Sequence, residues 1–194
     1  MNRENIISAS AYILIGGKSE RFGSPKWRAE IGRETVLDRM WQACADFESR
    51  SVVGKQQPSD LDKPFIRDEL KIQAPIVGLY TALEYTQHDW NLLLSCDLPL
   101  VTADVFQTLW KNRSDDADII VPQANDRIQV TCALYHRCLQ KTVSKAIEND
   151  ILGLFRLTES ANPVKVSFDG QDNRFFNMNT VQDLDTAQAL AEKM

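Results

Sequence analysis

Short apolar runs of strand type alternate along this chain with amphipathic segments of helical period, and this alternation limits the folds open to it. The clearest run, NLLLSCD (91–97), is followed by TADVFQTLWKN (102–112), in which apolar residues recur at helical spacing after a threonine cap. Strands separated by helices of this length usually form a parallel or mostly parallel sheet with right-handed crossovers. The pattern therefore predicts a layered α/β protein.

The same alternation extends over the whole chain. We predict strands at residues 11–15, 51–53, 64–66, 91–97, 117–122, 130–135 and 163–168. We predict helices at residues 34–47, 74–86, 102–112, 137–149 and 180–193. No internal repeat and no linker divides the sequence, so we expect residues 1–194 to form a single domain, with three layers and helices on both faces of the sheet.

Composition excludes several classes of function. The net charge of −5 argues against a nucleic-acid-binding surface, because such proteins usually carry an excess of basic residues. No apolar stretch approaches the length of a membrane span, and the N-terminus has no segment typical of a secretion signal. We therefore expect a cytoplasmic protein without nucleic-acid or membrane partners.

Metal and nucleophile chemistry based on cysteine or histidine is also not indicated. The four cysteines are scattered without CxxC spacing, which favours reduced thiols over a zinc site. The two histidines, His88 and His136, are too isolated for a metal cluster or a Ser–His–Asp triad. Catalysis, if present, must come from other residue types.

One loop carries an unusual set of residues directly after the first apolar run. In YILIGGKSERFGSPK (12–26), two adjacent glycines are followed by Arg21, Gly23 and Lys26. Glycines at the carboxyl end of a strand let backbone N–H groups approach an anion, and arginine and lysine add positive charge. Ligands of open α/β sheets bind at this end of the strands. The loop therefore predicts a site for phosphate groups.

Two common phosphate-binding motifs do not match this segment. It is not a Walker A loop, because Lys26 follows Pro25 and precedes Trp27 instead of a serine or threonine. It is not a Rossmann fingerprint, because the third glycine is misplaced and no helix opens immediately. A surface loop with incidental charges is the alternative, which the coincidence of glycines, cations and a buried strand disfavours.

The segment LIGGKSERFGSPK resembles the LxGGxSxRxGxxK motif of the molybdenum cofactor guanylyltransferases, in the nucleotidyltransferase superfamily. The resemblance continues in order along almost the whole chain, in these segments: FIRDEL (65–70), APIVGLYTALE (74–84), LLLSCDLPLV (92–101) and FFNMNTVQDL (175–184). Together, these collinear motifs are much more specific than any one of them. The implied fold is that of a Rossmann-like nucleotidyltransferase.

The resemblance implies transfer of GMP from GTP to molybdopterin, with release of pyrophosphate and with Mg²⁺ as cofactor. Its implied catalytic residues are Arg21, Lys26 and Asp97, and Asp97 is also the implied magnesium ligand. One carboxylate suffices for Mg²⁺, which completes its shell with water and substrate phosphates. Because the attacking phosphate is already anionic, such an enzyme requires positioning and charge neutralisation more than a protein nucleophile.

The resemblance also implies binding residues for both substrates. Those for the nucleotide are Leu14, Ile15, Gly16, Gly17, Lys26, Gly54, Asp68 and Asp97. Those for the pterin are Gly23, Asn177 and Asn179. Transient contacts with cofactor-biosynthesis or acceptor proteins would follow from such a role.

The chain departs from the family pattern near the predicted base pocket. Ile15 replaces the usual alanine, and Gly54 lies where a guanine-binding member carries asparagine. IQVT (128–131) lacks the common His-Pro or Gln-Pro pair. The Gly16–Gly17 pair favours the guanine-type members, because cytidine-type relatives tend to have Ala-Gly there.

Three alternative functions remain open from the sequence. The first is the same reaction with CTP, and the second is nucleotidyl transfer to a sugar or alditol phosphate. The third is a nucleotide-binding module without catalysis. The retained Arg21, Lys26 and Asp97 argue against the third, and the segment NMNT (177–180) argues against the second.

Overall fold

A central sheet organises the molecule, as a computed structural model shows for residues 6–16, 22–124 and 126–194. The strands in chain order are β1 (Ile7–Leu14), β2 (Glu30–Ile31), β3 (Glu34–Thr35), β4 (Phe47–Gly54), β5 (Phe65–Arg67), β6 (Trp90–Ser95), β7 (Ile119–Ala124), β8 (Arg127–Ile128), β9 (Cys132–His136) and β10 (Pro163–Ser167). Strands β2 and β3 form a separate antiparallel hairpin. The other eight strands of the described residues belong to the central sheet.

The sheet is mostly parallel, as the sequence pattern predicts. Its order is β10-β7-β9-β6-β1-β4-β5, with β8 paired to β7. Strand β1 lies between β4 and β6 and is parallel to both, and β10 is parallel to β7. Strand β9 runs antiparallel to both of its neighbours, β6 and β7. The carboxyl ends of β1, β4 and β6 therefore meet at one edge of the sheet.

Helices cover both faces of the sheet. They are α1 (Val36–Ala43), α2 (Pro75–Tyr85), α3 (Ala103–Lys111), α4 (Gln140–Glu148), α5 (Leu154–Ser160) and α6 (Val181–Ala191). Within the described residues, none of the helices has the length and apolar character that crossing a bilayer requires.

Two apolar cores lie on opposite faces of the sheet. Successive residues of β1 alternate between them: Ile13 belongs to one core, and Tyr12 and Leu14 belong to the other. The first core contains buried residues of α1, α3 and α6, and the second contains buried residues of α2, α4 and α5. This two-residue alternation is typical of a strand that is buried on both sides. The predicted three-layer arrangement is therefore confirmed.

Several predicted boundaries are wrong, and each error has a local cause. The helix expected over residues 34–47 is shorter, because Glu34 and Thr35 form β3 and Thr35 caps α1 through a bond from the Asp38 N–H. Phe47, expected on the helix, begins β4, where it pairs with Ile7 of β1.

Other elements were not predicted at all. Helix α5 and the β2–β3 hairpin follow no strong apolar period in the sequence. The polar segment 123–129, which lies between the predicted strands 117–122 and 130–135, contributes Gln123 and Ala124 to β7 and Arg127–Ile128 to β8. For the strands β2, β3 and β8, pairing with a neighbouring strand, which a local pattern does not show, decides the conformation.

Candidate active site

The ends of three parallel strands bring distant parts of the sequence together. Leu14 of β1 is in register with Val53 of β4 and with Ser95 of β6. The Ile15 N–H continues this ladder by donating to the Val53 carbonyl at 3.0 Å. Because side chains beyond the carboxyl ends of neighbouring strands share one edge, the residues that follow these three strands face a common space.

Lys26, Asp97 and Asn179 meet at this edge. Lys26 Nζ donates to Asp97 Oδ1 at 2.7 Å and to Asn179 Oδ1 at 3.0 Å. The partners lie 71 and 153 positions from Lys26 in the sequence, so only the fold brings them together. The side chain of Lys26 is 14% exposed and that of Asp97 is 39% exposed. The ammonium is therefore largely enclosed, whereas the carboxylate remains accessible to a ligand.

Backbone contacts hold Asn179 in this position. The Met178 N–H donates to the Asp97 carbonyl at 2.8 Å, and the Met178 side chain is fully buried. Asp183 Oδ2 accepts from the N–H groups of Asn179 and Thr180 at 2.7 and 2.8 Å. Thr180 and Asp183 form a reciprocal capping box at the start of α6. The last motif of the sequence is thus fixed to the end of β6.

A cavity of about 490 Å³ extends from this cluster along the strand ends. Its walls include most of the predicted site residues, namely Leu14, Ile15, Gly16, Lys26, Gly54, Asp68, Asp97 and Asn179. This volume lies within the range usual for small-molecule sites. The predicted nucleotide-binding set, apart from Gly17, therefore lines one cavity. Gly17 and Arg21 lie outside the described residues.

The predicted pterin residues are distributed differently. Gly23, with a positive φ of 73°, lines a neighbouring cavity of about 530 Å³ that shares Ile15, Gly16 and Gly54 with the first. Asn179 lines the first cavity. Asn177 is exposed and lines neither of these two cavities, and its Nδ2 donates to the Phe175 carbonyl at 3.3 Å. The structure thus brings Gly23 and Asn179 to the cavities and leaves Asn177 outside them.

A second polar cluster lines the first cavity where β4 ends. Lys55 Nζ donates to Asp68 Oδ2 at 2.6 Å, and the Asp68 N–H donates to the Gly54 carbonyl at 2.8 Å. Asp68 is buried, with 8% of its side chain exposed. The sequence analysis identified Gly54 and Asp68 but missed Lys55, whose position two residues after the predicted strand 51–53 was the available signal. It also missed the role of Trp27 in the cavity wall.

Cys96 is the thiol closest in sequence to the Lys26–Asp97 pair, and it is not suited to nucleophilic attack. Its Sγ donates to the Leu14 carbonyl at 2.9 Å in a buried environment. Burial raises the pKa of this thiol far above its ordinary value, and the negative charge of Asp97 raises it further. The group therefore remains protonated at neutral pH, and a thiol in that state is a poor nucleophile.

The cluster has the donor set that a magnesium ion takes in a phosphate site. Asp97 and Asn179 contribute hard oxygen atoms at the cavity wall. In the described ranges, no group of three or more His, Cys, Asp or Glu side chains is arranged to hold a metal ion. A site with one carboxylate is compatible with Mg²⁺, which relies on water and substrate phosphates for its other ligands, and is too poor in donors for structural zinc.

Comparison with known proteins agrees with this fold. Residues 11–164 match the family model of the MobA-like NTP transferase domain. A probable molybdenum cofactor guanylyltransferase of Bacillus cereus is 29% identical over 189 residues, which cover 91% of this chain and 94% of the relative.

Solved structures share the fold. Molybdopterin-guanine dinucleotide biosynthesis protein A of Archaeoglobus fulgidus superposes with a TM-score of 0.82 at 23% identity, over 95% of this chain and 100% of that one. The 2-C-methyl-D-erythritol 4-phosphate cytidylyltransferase of Thermus thermophilus superposes with a TM-score of 0.74 at 17% identity, over 96% and 100%. Because the family model spans most of the sequence, the chain belongs to the MobA-like NTP transferase family of nucleotidyltransferases.

Proposed function

We propose that this chain transfers GMP from GTP to the phosphate of molybdopterin, which releases pyrophosphate and forms molybdopterin guanine dinucleotide. The convergence of Lys26, Asp97 and Asn179 on one cavity carries the proposal. The names of the curated relatives support this choice of substrates, since those relatives cover nearly the whole chain. The proposal places the reaction in the cytoplasm.

The chemistry requires charge neutralisation more than a protein nucleophile. An oxygen of the acceptor phosphate attacks the α-phosphorus of GTP, and the bond between that phosphorus and the bridging oxygen of pyrophosphate breaks. Negative charge accumulates on the phosphate oxygens during this displacement. Lys26 would leave its contact with Asp97 or share it, and would donate to those oxygens. Arg21 is proposed as a second cation on the sequence motif alone.

Asp97 would hold the magnesium ion in this proposal, with the Asn179 amide oxygen beside it. When bound, the ion would neutralise charge on the α-phosphate and on the leaving pyrophosphate. The Asp97 main chain is fixed by the Met178 N–H, so the carboxylate starts from a defined position. A preorganised ligand of this kind avoids a reorganisation cost at the moment of reaction.

The nucleotide and the acceptor would occupy the two neighbouring cavities. The first cavity, with Gly16, Gly54 and Asp68 in its wall, would hold GTP. The second, which Gly23 lines, would hold the pterin, and Ile15, Gly16 and Gly54, which line both cavities, would lie between the two substrates. Asn177 would reach the acceptor only from outside the cavities.

Two substitutions test the site. Asp97→Asn and Lys26→Ala should each lower kcat for pyrophosphate release by about a hundredfold or more, the usual cost of removing one preorganised electrostatic group. The control is Asp60→Asn, which removes an exposed carboxylate that pairs with Arg28. Steady-state kinetics with GTP, molybdopterin and Mg²⁺ give the rates, and thermal unfolding checks that each variant is folded.

The outcomes separate the alternatives. A folded Asp97→Asn or Lys26→Ala variant that keeps a rate within about threefold of the wild type would contradict the site assignment. Replacing GTP with CTP in the same assay tests cytidylyl transfer to molybdopterin. Replacing molybdopterin with a sugar or alditol phosphate tests nucleotidyl transfer to those acceptors. Nucleotide binding without any turnover would indicate a binding module instead of an enzyme.

A further inference from the structure

The ammonium group of Lys55 is fully occupied by the protein. Its Nζ donates to Asp68 Oδ2 at 2.6 Å, to the Ile72 carbonyl at 2.7 Å and to the Leu70 carbonyl. A lysine ammonium has three N–H donors and no acceptor. All three protons are therefore used within the chain, and none is left for a ligand in the cavity that Lys55 lines.

The contacts of Lys55 leave Asp68 as a hydrogen-bond acceptor at the cavity wall. Its Oδ1 accepts from the Leu70 N–H at 3.1 Å, and its Oδ2 accepts from Lys55. A carboxylate with so little exposure would be costly without a cationic partner, and Lys55 makes the pair neutral. Each carboxylate oxygen can accept a second hydrogen bond. Asp68 therefore presents acceptors, and its partner presents no donor.

An acceptor of this kind distinguishes among nucleobases. Guanine carries N–H donors at the adjacent N1 and N2 positions. Cytosine carries one amino group, next to the acceptors N3 and O2. Its Watson–Crick edge would therefore place these acceptors against the carboxylate oxygens of Asp68. A site built to bind particular N–H groups rejects bases that lack them, because its buried polar groups are then left unpaired.

We propose that Lys55 is a positioning residue for base selection. Its ammonium donates its three protons to Asp68 and to the carbonyls of Leu70 and Ile72. These contacts keep the Asp68 carboxylate as an acceptor for the paired N–H donors of guanine. This inference rests on the proposed function, since it concerns the same nucleotide cavity. It adds a residue that acts through Asp68 and not through the phosphates.

Lys55→Met tests the inference, because methionine keeps much of the side-chain volume and removes the ammonium. We expect the wild type to favour GTP over CTP. In the variant, the ratio of kcat/KM for GTP to that for CTP should fall by about tenfold, mainly through a higher KM for GTP, with kcat changed by less than about threefold. Calorimetric titration of each nucleotide with Mg²⁺ should show the same loss in the ratio of dissociation constants.

Lys63→Met is the matched control. Lys63 Nζ also binds two carboxylates, Asp38 and Asp62, at 2.6 and 2.9 Å, but Lys63 lines neither the nucleotide cavity nor the neighbouring one. This variant should lose stability and keep the GTP-to-CTP ratio of the wild type.

Lys55→Arg is a second test of the inference. It keeps the positive charge, but a guanidinium fork cannot place three protons at the same points. Its ratio should fall less than that of Lys55→Met.

The result that overturns the inference differs from the one that overturns the function. A Lys55→Met variant that keeps the GTP-to-CTP ratio within about twofold, or a Lys55→Arg variant whose ratio falls further than that of Lys55→Met, would refute the role of Lys55 and leave the function intact. A wild type that favours CTP, or that binds neither nucleotide, would refute both the role of Lys55 and the proposed reaction with GTP. A wild type that binds GTP without releasing pyrophosphate would contradict the function, and the binding ratios would still decide the role of Lys55.

Discussion

Ile15 and Gly54 share one volume in the wall of the cavity. A Cβ atom on Gly54 would lie 3.1 Å from Ile15 Cγ1 and 3.3 Å from Phe65 Cε2. These distances are shorter than ordinary contacts, so a side chain at position 54 would have to displace its neighbours. The two departures from the family pattern therefore adjoin each other, and we expect them to be coupled, with the larger residue 15 filling the space next to the glycine at position 54.

This coupling predicts a non-additive double variant. Gly54→Asn alone should destabilise the protein by about 1–3 kcal/mol, because it overpacks the contact with Ile15. The double variant Ile15→Ala/Gly54→Asn should lose about 1 kcal/mol less unfolding free energy than the sum of the losses in the two single variants. Urea unfolding of the four proteins gives this coupling free energy. Additivity within about 0.5 kcal/mol would show that the two positions are independent.

At the residue scale, the sequence predicted the groups around Lys26 better than those near Asp68. Lys26, Asp97 and Asn179 follow from motifs, and the structure joins them by hydrogen bonds. Lys55 contacts residues within 68–72, which lie 13 to 17 positions further along the chain. No local sequence pattern links Lys55 to those residues. The role of such a residue depends on how a loop folds back on a strand.

The N-terminus of helix α6 lies next to the site residue Asn179. Its N-terminal capping box uses Asp183, whose carboxylate accepts from the backbone N–H groups of Asn179 and Thr180. These bonds stabilise the charged form and lower the pKa of Asp183 below its ordinary value of 3.8. The same contacts orient Asn179 toward Lys26, so the start of the helix positions a residue of the site.

The lowered pKa predicts a specific pH dependence. In the unfolded chain Asp183 titrates near 3.8, and in the folded protein it titrates below that value. Its contribution to stability is therefore present above pH 3.8 and is lost as the pH falls through the folded pKa. The difference in unfolding free energy between the wild type and Asp183→Asn should shrink as the pH falls below 3.8. Chemical denaturation at a series of acidic pH values measures it.

Asp185→Asn is the control for this experiment, because it removes a carboxylate from an exposed position on the same helix. Its stability should run parallel to that of the wild type over the same range. A constant difference between the wild type and Asp183→Asn down to the most acidic pH would show that the cap bonds do not depend on the charge of Asp183.

At the element scale, long periodic segments could be predicted and short paired ones could not. Helix α3 lies within one residue of each predicted boundary, because a clear apolar period and a threonine cap define it. Strand β4 begins at Phe47, four residues earlier than expected, because pairing with β1 draws in a segment of mixed polarity. Tertiary pairing overrides local preference in such segments.

At the scale of the whole molecule, the site lies where both cores meet one sheet edge. Leu14, in the wall of the first cavity, packs in one core, whereas Cys96 and Met178 at the same edge belong to the other. The mostly parallel sheet and its helical layers could be predicted from the alternation of strands and helices. The antiparallel placement of β9 between β6 and β7 could not, because its direction depends on the path of the connections and not on its own residues.

A ligand that bridges these parts should stabilise the molecule as a unit. GTP with Mg²⁺ would contact groups anchored in both cores, so the thermal unfolding transition should move as a whole. At a ligand concentration of about 100 times Kd the expected stabilisation is about 2.7 kcal/mol, which for a chain of this size raises Tm by roughly 5–10 °C. Lys26→Ala should show a much smaller shift at the same concentration, and Asp60→Asn the full one. Two transitions, of which only one responds to GTP, would show that the site belongs to one part of the fold alone.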